Sequence, residues 1–197
     1  MKKTFLRTAL LLFSIVAVSQ QNENLNLLKA DSTWTKEIFQ FPIHFAPEID
    51  FEGFEDARFP AGWGKPDSPF FWSYVFAWKF NRTTNLTENE LQTYLQYYFD
   101  GLMNVVNKDK TIVPPGTIAV IRKSEDAKSE TTFEGKVTIY DAFRTKKELQ
   151  LNVLINQDLC EETLQSIVVF RFSPAEFESG VWQTLNGITL SPDNCDL

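Results

Sequence analysis

Histidine is almost missing from this chain of 197 residues, with His44 the only one. A zinc site would therefore have to be built from carboxylates or from the two cysteines, and neither H-x-x-x-H nor C-x-x-C spacing occurs. A Ser-His-Asp triad has one histidine to use and no serine that the sequence nominates. There is no G-x-S-x-G elbow, P-loop, dinucleotide fingerprint or EF-hand loop. Basic charge is also in deficit. Nineteen Lys and Arg stand against 26 Asp and Glu, a formal net charge of −7, which argues against a broad electrostatic grip on nucleic acid. Eight glycines and nine prolines are too few for a collagenous or low-complexity chain. No catalytic residue, metal ligand or cofactor is nominated by these patterns.

What is present begins with an address. Lys2, Lys3 and Arg7 precede the apolar run Ala9–Val18, and Ala17-Val18-Ser19 supplies small residues at −3 and −1. Residues 1–19 read as a secretory signal peptide cleaved after Ser19. Ten apolar residues are about half of what a hydrocarbon core requires, so the run is too short for an anchor, and no transmembrane helix is expected in the mature chain. No cysteine follows to accept a lipid. Loss of the three cations makes the mature chain more acidic still. The destination is the periplasm or the external medium. Both cysteines, Cys160 and Cys195, lie late in the mature part, and in an oxidising compartment they are expected to form a disulfide.

Residues 20–33 are polar and read as an arm or linker, which leaves 34–197 as one domain. Between Trp34 and Phe80 five prolines break the chain into short extended pieces. Ile38–Phe41 and Phe70–Phe80 are expected strands, with an irregular excursion between them. Thr87-x-x-Glu90 is a capping box, and Leu91, Tyr94, Leu95, Tyr98, Leu102, Val105 and Val106 recur at helical spacing, predicting a helix over 87–106. The second half changes to a period of two. Thr117–Arg122, the alternating segment around Phe133–Ile139, Leu149–Ile155 and Ile167–Phe172 read as strands of an antiparallel meander. Ser173-Pro174-Ala175-Glu176 is a second capping box, with Phe177, Val181, Trp182 and Leu185 on one face and Gly187 as the stop. The predicted class is α+β: an antiparallel sheet with two main helices packed on it.

Aromatics carry the functional expectation. They make up 14% of the chain, and 18 of them are Phe. In Phe70–Phe80 the residues Trp72, Tyr74, Phe76, Trp78 and Phe80 fall at every second position, which puts them on one face of a strand. Such a face is either core against the 87–106 helix or the wall of a ligand site. Trp63, between Gly62 and Gly64 in a turn-rich loop, is a surface candidate. Trp63, Trp72, Tyr74, Trp78 and Arg58 together offer the apolar wall and polar anchors of a binding site. The expected partner is a small molecule, a glycan or an envelope protein, and the leading reading is an exported binding or interaction protein. A second reading is a hydrolase that uses His44 with the acidic run Glu48, Asp50, Glu52, Glu55 and Asp56, where apolar neighbours raise a carboxyl pKa. A third is a structural or envelope-associated protein.

The stretches Phe41–Pro47, Arg58–Trp63 and Phe71–Trp78, with Tyr140–Phe143 and Val181-Trp182, resemble recurring segments of a group of exported bacterial proteins. The resemblance spans most of the mature chain. It implies export and brings with it no activity, cofactor or site residue.

Overall fold

A computed structural model describes residues 25–125 and 131–196. The expected signal peptide, 1–19, lies outside the described residues. Nine strands and two helices are present among them, and all strand pairings are antiparallel. The chain runs β1 (Leu28–Lys29), β2 (Thr35–Gln40), β3 (Gly53–Phe59), β4 (Tyr74–Asn81), α1 (Glu88–Val106), β5 (Ile118–Lys123), β6 (Thr132–Tyr140), β7 (Glu148–Cys160), β8 (Gln165–Ser173), α2 (Gly180–Asn186) and β9 (Thr189–Leu190). Seven strands form the main sheet in the order β2-β3-β4-β8-β7-β6-β5, and β1 pairs with β9 in a separate ribbon. Two meanders, β2–β4 and β5–β8, therefore meet at the β4–β8 seam. The crossover between them carries α1.

Strand alternation sorts the side chains onto two faces. Tyr74, Phe76, Trp78 and Phe80 of β4 join Phe170 and Phe172 of β8 beneath α1, in the larger of two apolar clusters. Val75 and Ala77 point the other way, into a smaller cluster with Ile167, Val169, Trp182 and Leu185, covered by α2 and the β1–β9 ribbon. The alternating aromatic row is thus the core of the sheet. Trp72 stands outside β4, with φ 51°.

The capping box of α1 is present: Glu90 N–H donates to Thr87 Oγ1 at 3.3 Å, and Thr87 N–H donates to Glu90 Oε2 at 2.8 Å. Leu91, Leu95, Tyr98, Phe99 and Met103 are its buried side chains. Val105, expected on that face, is 55% exposed, because the helical period has carried it round to solvent by the last turn. Gly101 lets the helix lie directly on the 43–49 turn, where a β-carbon would overlap the Phe45 carbonyl oxygen. The helix also closes the sheet edge. Gln92 Oε1 accepts from Ile121 N–H at 3.1 Å, Glu88 Oε1 from Lys123 N–H at 2.7 Å, and Asp100 Oδ1 from Thr117 N–H at 2.6 Å.

Three expectations are corrected. The excursion between Phe41 and Phe70 contains a full strand, β3, which pairs on both sides. Its charged residues Glu55, Asp56 and Arg58 find partners within the fold, so the alternation is not one of apolar against polar. The 20–33 arm is docked over its described part: Leu27 and Leu28 are buried against the α2 cluster, and Leu28 N–H donates to Asp56 Oδ2 at 3.0 Å. The second helix starts at Gly180 instead of Ser173. Ser173 is the last residue of β8, and its hydroxyl accepts from Ala175 N–H at 3.1 Å in a local turn.

Candidate functional site

The residues nominated from sequence fall into four separate environments. Trp78 is fully enclosed, and its indole Nε1–H donates to Glu55 Oε2 at 2.7 Å. Tyr98 of α1 reaches the same carboxyl from above, with its hydroxyl 2.9 Å from Oε1. Burial pushes the Glu55 pKa up to about 8 against the pull of these two hydrogen bonds, and the charges of Glu37 and Asp56 add to the rise. A carboxyl of that pKa holds its proton at neutral pH. Oε2 accepts from the Trp78 indole and Oε1 from the Tyr98 hydroxyl. The group has no exposed surface, so it joins sheet to helix and faces no ligand.

Arg58 lies on the opposite face. Its guanidinium forms a two-pronged pair with Asp56, Nε to Oδ1 at 2.6 Å and NH2 to Oδ2 at 2.8 Å, and also reaches Asn26 Oδ1 at 3.3 Å. With Asp56 receiving Leu28 N–H, this pair holds the N-terminal segment down. His44 is exposed at the rim of a surface groove of about 500 Å³ between the 43–49 turn and the C-terminal half of α1. The structure therefore does not bring His44, Glu55, Asp56 and Arg58 together. The first is at the surface, the second is sealed in the core, and the last two point through the other side of the sheet. No set of three or more His, Cys, Asp or Glu placed to hold a metal ion occurs among the described residues.

Trp63, Trp72 and Tyr74 do come together, at the end of the sheet where β3 finishes and β4 begins. Trp63 is half-buried and packs on Phe59 at 4.8 Å and edge-on to Trp72 at 6.4 Å between ring centroids. Phe143, from the turn between β6 and β7, closes on both, at 6.2 Å and 5.8 Å. The loop holding the two indoles is a chain of tight turns tied by Trp72 N–H donating to the Trp63 carbonyl at 2.8 Å.

A second surface was not nominated from sequence. α2 and the ribbon cover only the β3, β4 and β8 side of their face, and the outer part of β5, β6 and β7 is bare. Ile118 and Val120 stand 59% and 60% exposed there, and Phe177 leans over them from the segment before α2. They line a depression of about 510 Å³ together with Arg122, Glu134, Lys136 and Thr138. Arg122 and Glu134 satisfy each other at 2.9 Å. Thr117–Arg122 reads in sequence as a short apolar strand. In fact β5 is an edge strand whose Ala119 and Ile121 alone face α1.

Cys160 and Cys195 form a disulfide, with Cα atoms 5.4 Å apart, that joins the end of β7 to the C-terminal tail. No helix among the described residues is long and apolar enough to cross a membrane. No family model, no curated protein and no solved structure matches the chain.

Proposed function

We propose that the protein is exported and works by binding a small molecule with an apolar body on the bare face of β5–β7. The observation that carries this reading is the exposure of Ile118, Val120 and Phe177 around one depression of about 510 Å³. That volume falls within the roughly 300–1,000 Å³ of small-molecule sites. Three strands spaced about 4.8 Å apart and five residues of about 3.4 Å each make a face of about 250 Å². A stable protein partner buries about 800 Å² on each side, so the size of the face favours a small ligand over a second chain. Addition of a strand to the β5 edge is disfavoured too, since α1 side chains occupy its outward N–H groups. The N-terminal signal pattern, the resemblance to exported bacterial proteins and the disulfide support export.

The reading is tested by titrating indole and cyclohexanol into methyl-labelled protein. Binding is expected to move the methyl resonances of Ile118 and Val120, and Val120→Glu is expected to abolish the response with the melting temperature unchanged. Methyl shifts confined to the His44 groove, or no shift at either residue, would overturn it.

A further inference from the structure

We propose that the aromatic corner formed by Trp63, Trp72 and Phe143 is a binding site, distinct from the bare sheet face, for a small carboxylate carried on a six-membered ring. Three observations converge there. The indole Nε1–H of Trp72 is buried and has no acceptor among the described residues, although an unpaired buried donor costs roughly 1–3 kcal/mol and such donors are rare in folded proteins. The same residue sits in the left-handed backbone region at φ 51°, a conformation that bulky residues adopt only where the surroundings impose it. Next in the chain to Trp63, Gly64 has the Arg144 guanidinium against it, so close that a β-carbon there would stand 2.7 Å from the Arg144 NH2. Arg144 is exposed and its side chain pairs with no carboxylate among the described residues.

Local charge points the same way. The two loops that build the corner, 60–73 and 141–147, carry Lys65, Arg144, Lys146 and Lys147 against Asp67 and Asp141. Asp141 is already consumed: its two oxygens accept the backbone N–H groups of Phe143, Arg144 and Thr145. Lys146 is engaged too, on the Ala142 carbonyl, which leaves Lys65, Arg144 and Lys147 against Asp67 as the cationic corner of an acidic protein. A ligand that supplies acceptors and a flat apolar face fits it, with the ring on half-buried Trp63, its carboxylate on Arg144, and an acceptor for the Trp72 N–H.

Benzoate and glucuronate carry this chemistry on an aromatic and on a sugar ring, and glucose lacks the charge. The measurement is the indole N–H resonances of Trp63 and Trp72 during titration of the full mature chain with each. At least one carboxylate is expected to move both resonances, with an affinity tenfold or more above that of glucose. Whichever does so identifies the ring class. Arg144→Gln, which leaves the Asp141 turn intact, is expected to remove that preference, and Trp63→Ala to weaken whichever carboxylate binds while the amide spectrum stays folded. Equal binding of glucose, an undiminished preference in Arg144→Gln, or still indole resonances with both carboxylates would each overturn the proposal.

Discussion

Glu55 shows how much one side chain can alter this fold. Its carboxyl is enclosed between Trp78 and Tyr98, and burial holds its pKa near 8 against an ordinary value of 4.5. The native state therefore binds one more proton than the unfolded chain between those two values. Stability from this group is fully present below about pH 4.5, drains away on the order of 1 kcal/mol per pH unit as pH rises, and is gone above about pH 8. Glu55→Gln keeps an acceptor for Trp78 and supplies a donor to the Tyr98 oxygen, and it cannot ionise. Urea unfolding at pH 5, 7 and 9 is expected to show the wild type losing stability with rising pH relative to the variant, so that the variant is the more stable protein at pH 9. A constant difference across that range would place the ionisation of Glu55 elsewhere. Arg171 is a buried counterpart on the other face. Its guanidinium donates to the carbonyls of Leu185 and Ile188 and to Asn156 Oδ1, which ties α2 to the sheet through neutral acceptors. Burial lowers its pKa to about 10, so it stays charged at neutral pH.

Among the elements, α1 does two jobs, since it covers the aromatic face and shields the β5 edge. An uncovered edge strand is a template for pairing with another chain. Replacing Glu88, Gln92 and Asp100 together by Ala keeps good helix formers along α1 and removes the acceptors that hold the N–H groups of Lys123, Ile121 and Thr117. The variant is expected to self-associate with rising concentration in sedimentation while its helix content is unchanged; a monomer at all concentrations would show that the edge is protected by other means. Helix α1 was readable from its capping box and spacing, and the C-terminal strands from their period of two. β4 was readable as a strand, and its aromatic row lies under α1, one of the two readings the alternation allows. β3 was hidden for a physical reason. Glu55 and Asp56 are satisfied by Trp78, Tyr98 and Leu28, which lie 23 to 43 positions away, and Arg58 by Asp56. Local pattern sees only a run of charge. The same blindness affected the sites: Trp63, Trp72 and Tyr74 do gather, whereas Trp78 and Arg58 are claimed by the fold, and the bare β5–β7 face depends on where α2 stops.

At the scale of the whole molecule, two apolar clusters on opposite faces of one sheet divide the task of holding it together. The second cluster is assembled from both ends of the chain, since β1 and β9 form its ribbon and Lys79 donates to the Asn194 carbonyl at 2.7 Å. The disulfide secures that end, closing a loop with a sequence separation of 35. Replacing Cys160 and Cys195 by Ser is expected to cost about 3–4 kcal/mol in the chain-entropy picture, read as a lowered denaturant midpoint. Hydrogen exchange is expected to quicken first at Leu28 and Thr189, ahead of the β4–β8 seam; uniform loss of protection would show instead that both clusters open as one. The ribbon has a further consequence for the order of events during synthesis. Residue 28 pairs with residue 190, so whether the chain emerges from a ribosome or threads through a pore, β1 must wait for β9. Until residues 189 and 190 arrive, Leu28 and Lys29 lack their strand partners, and the molecule stays open at the face where it will finally be locked.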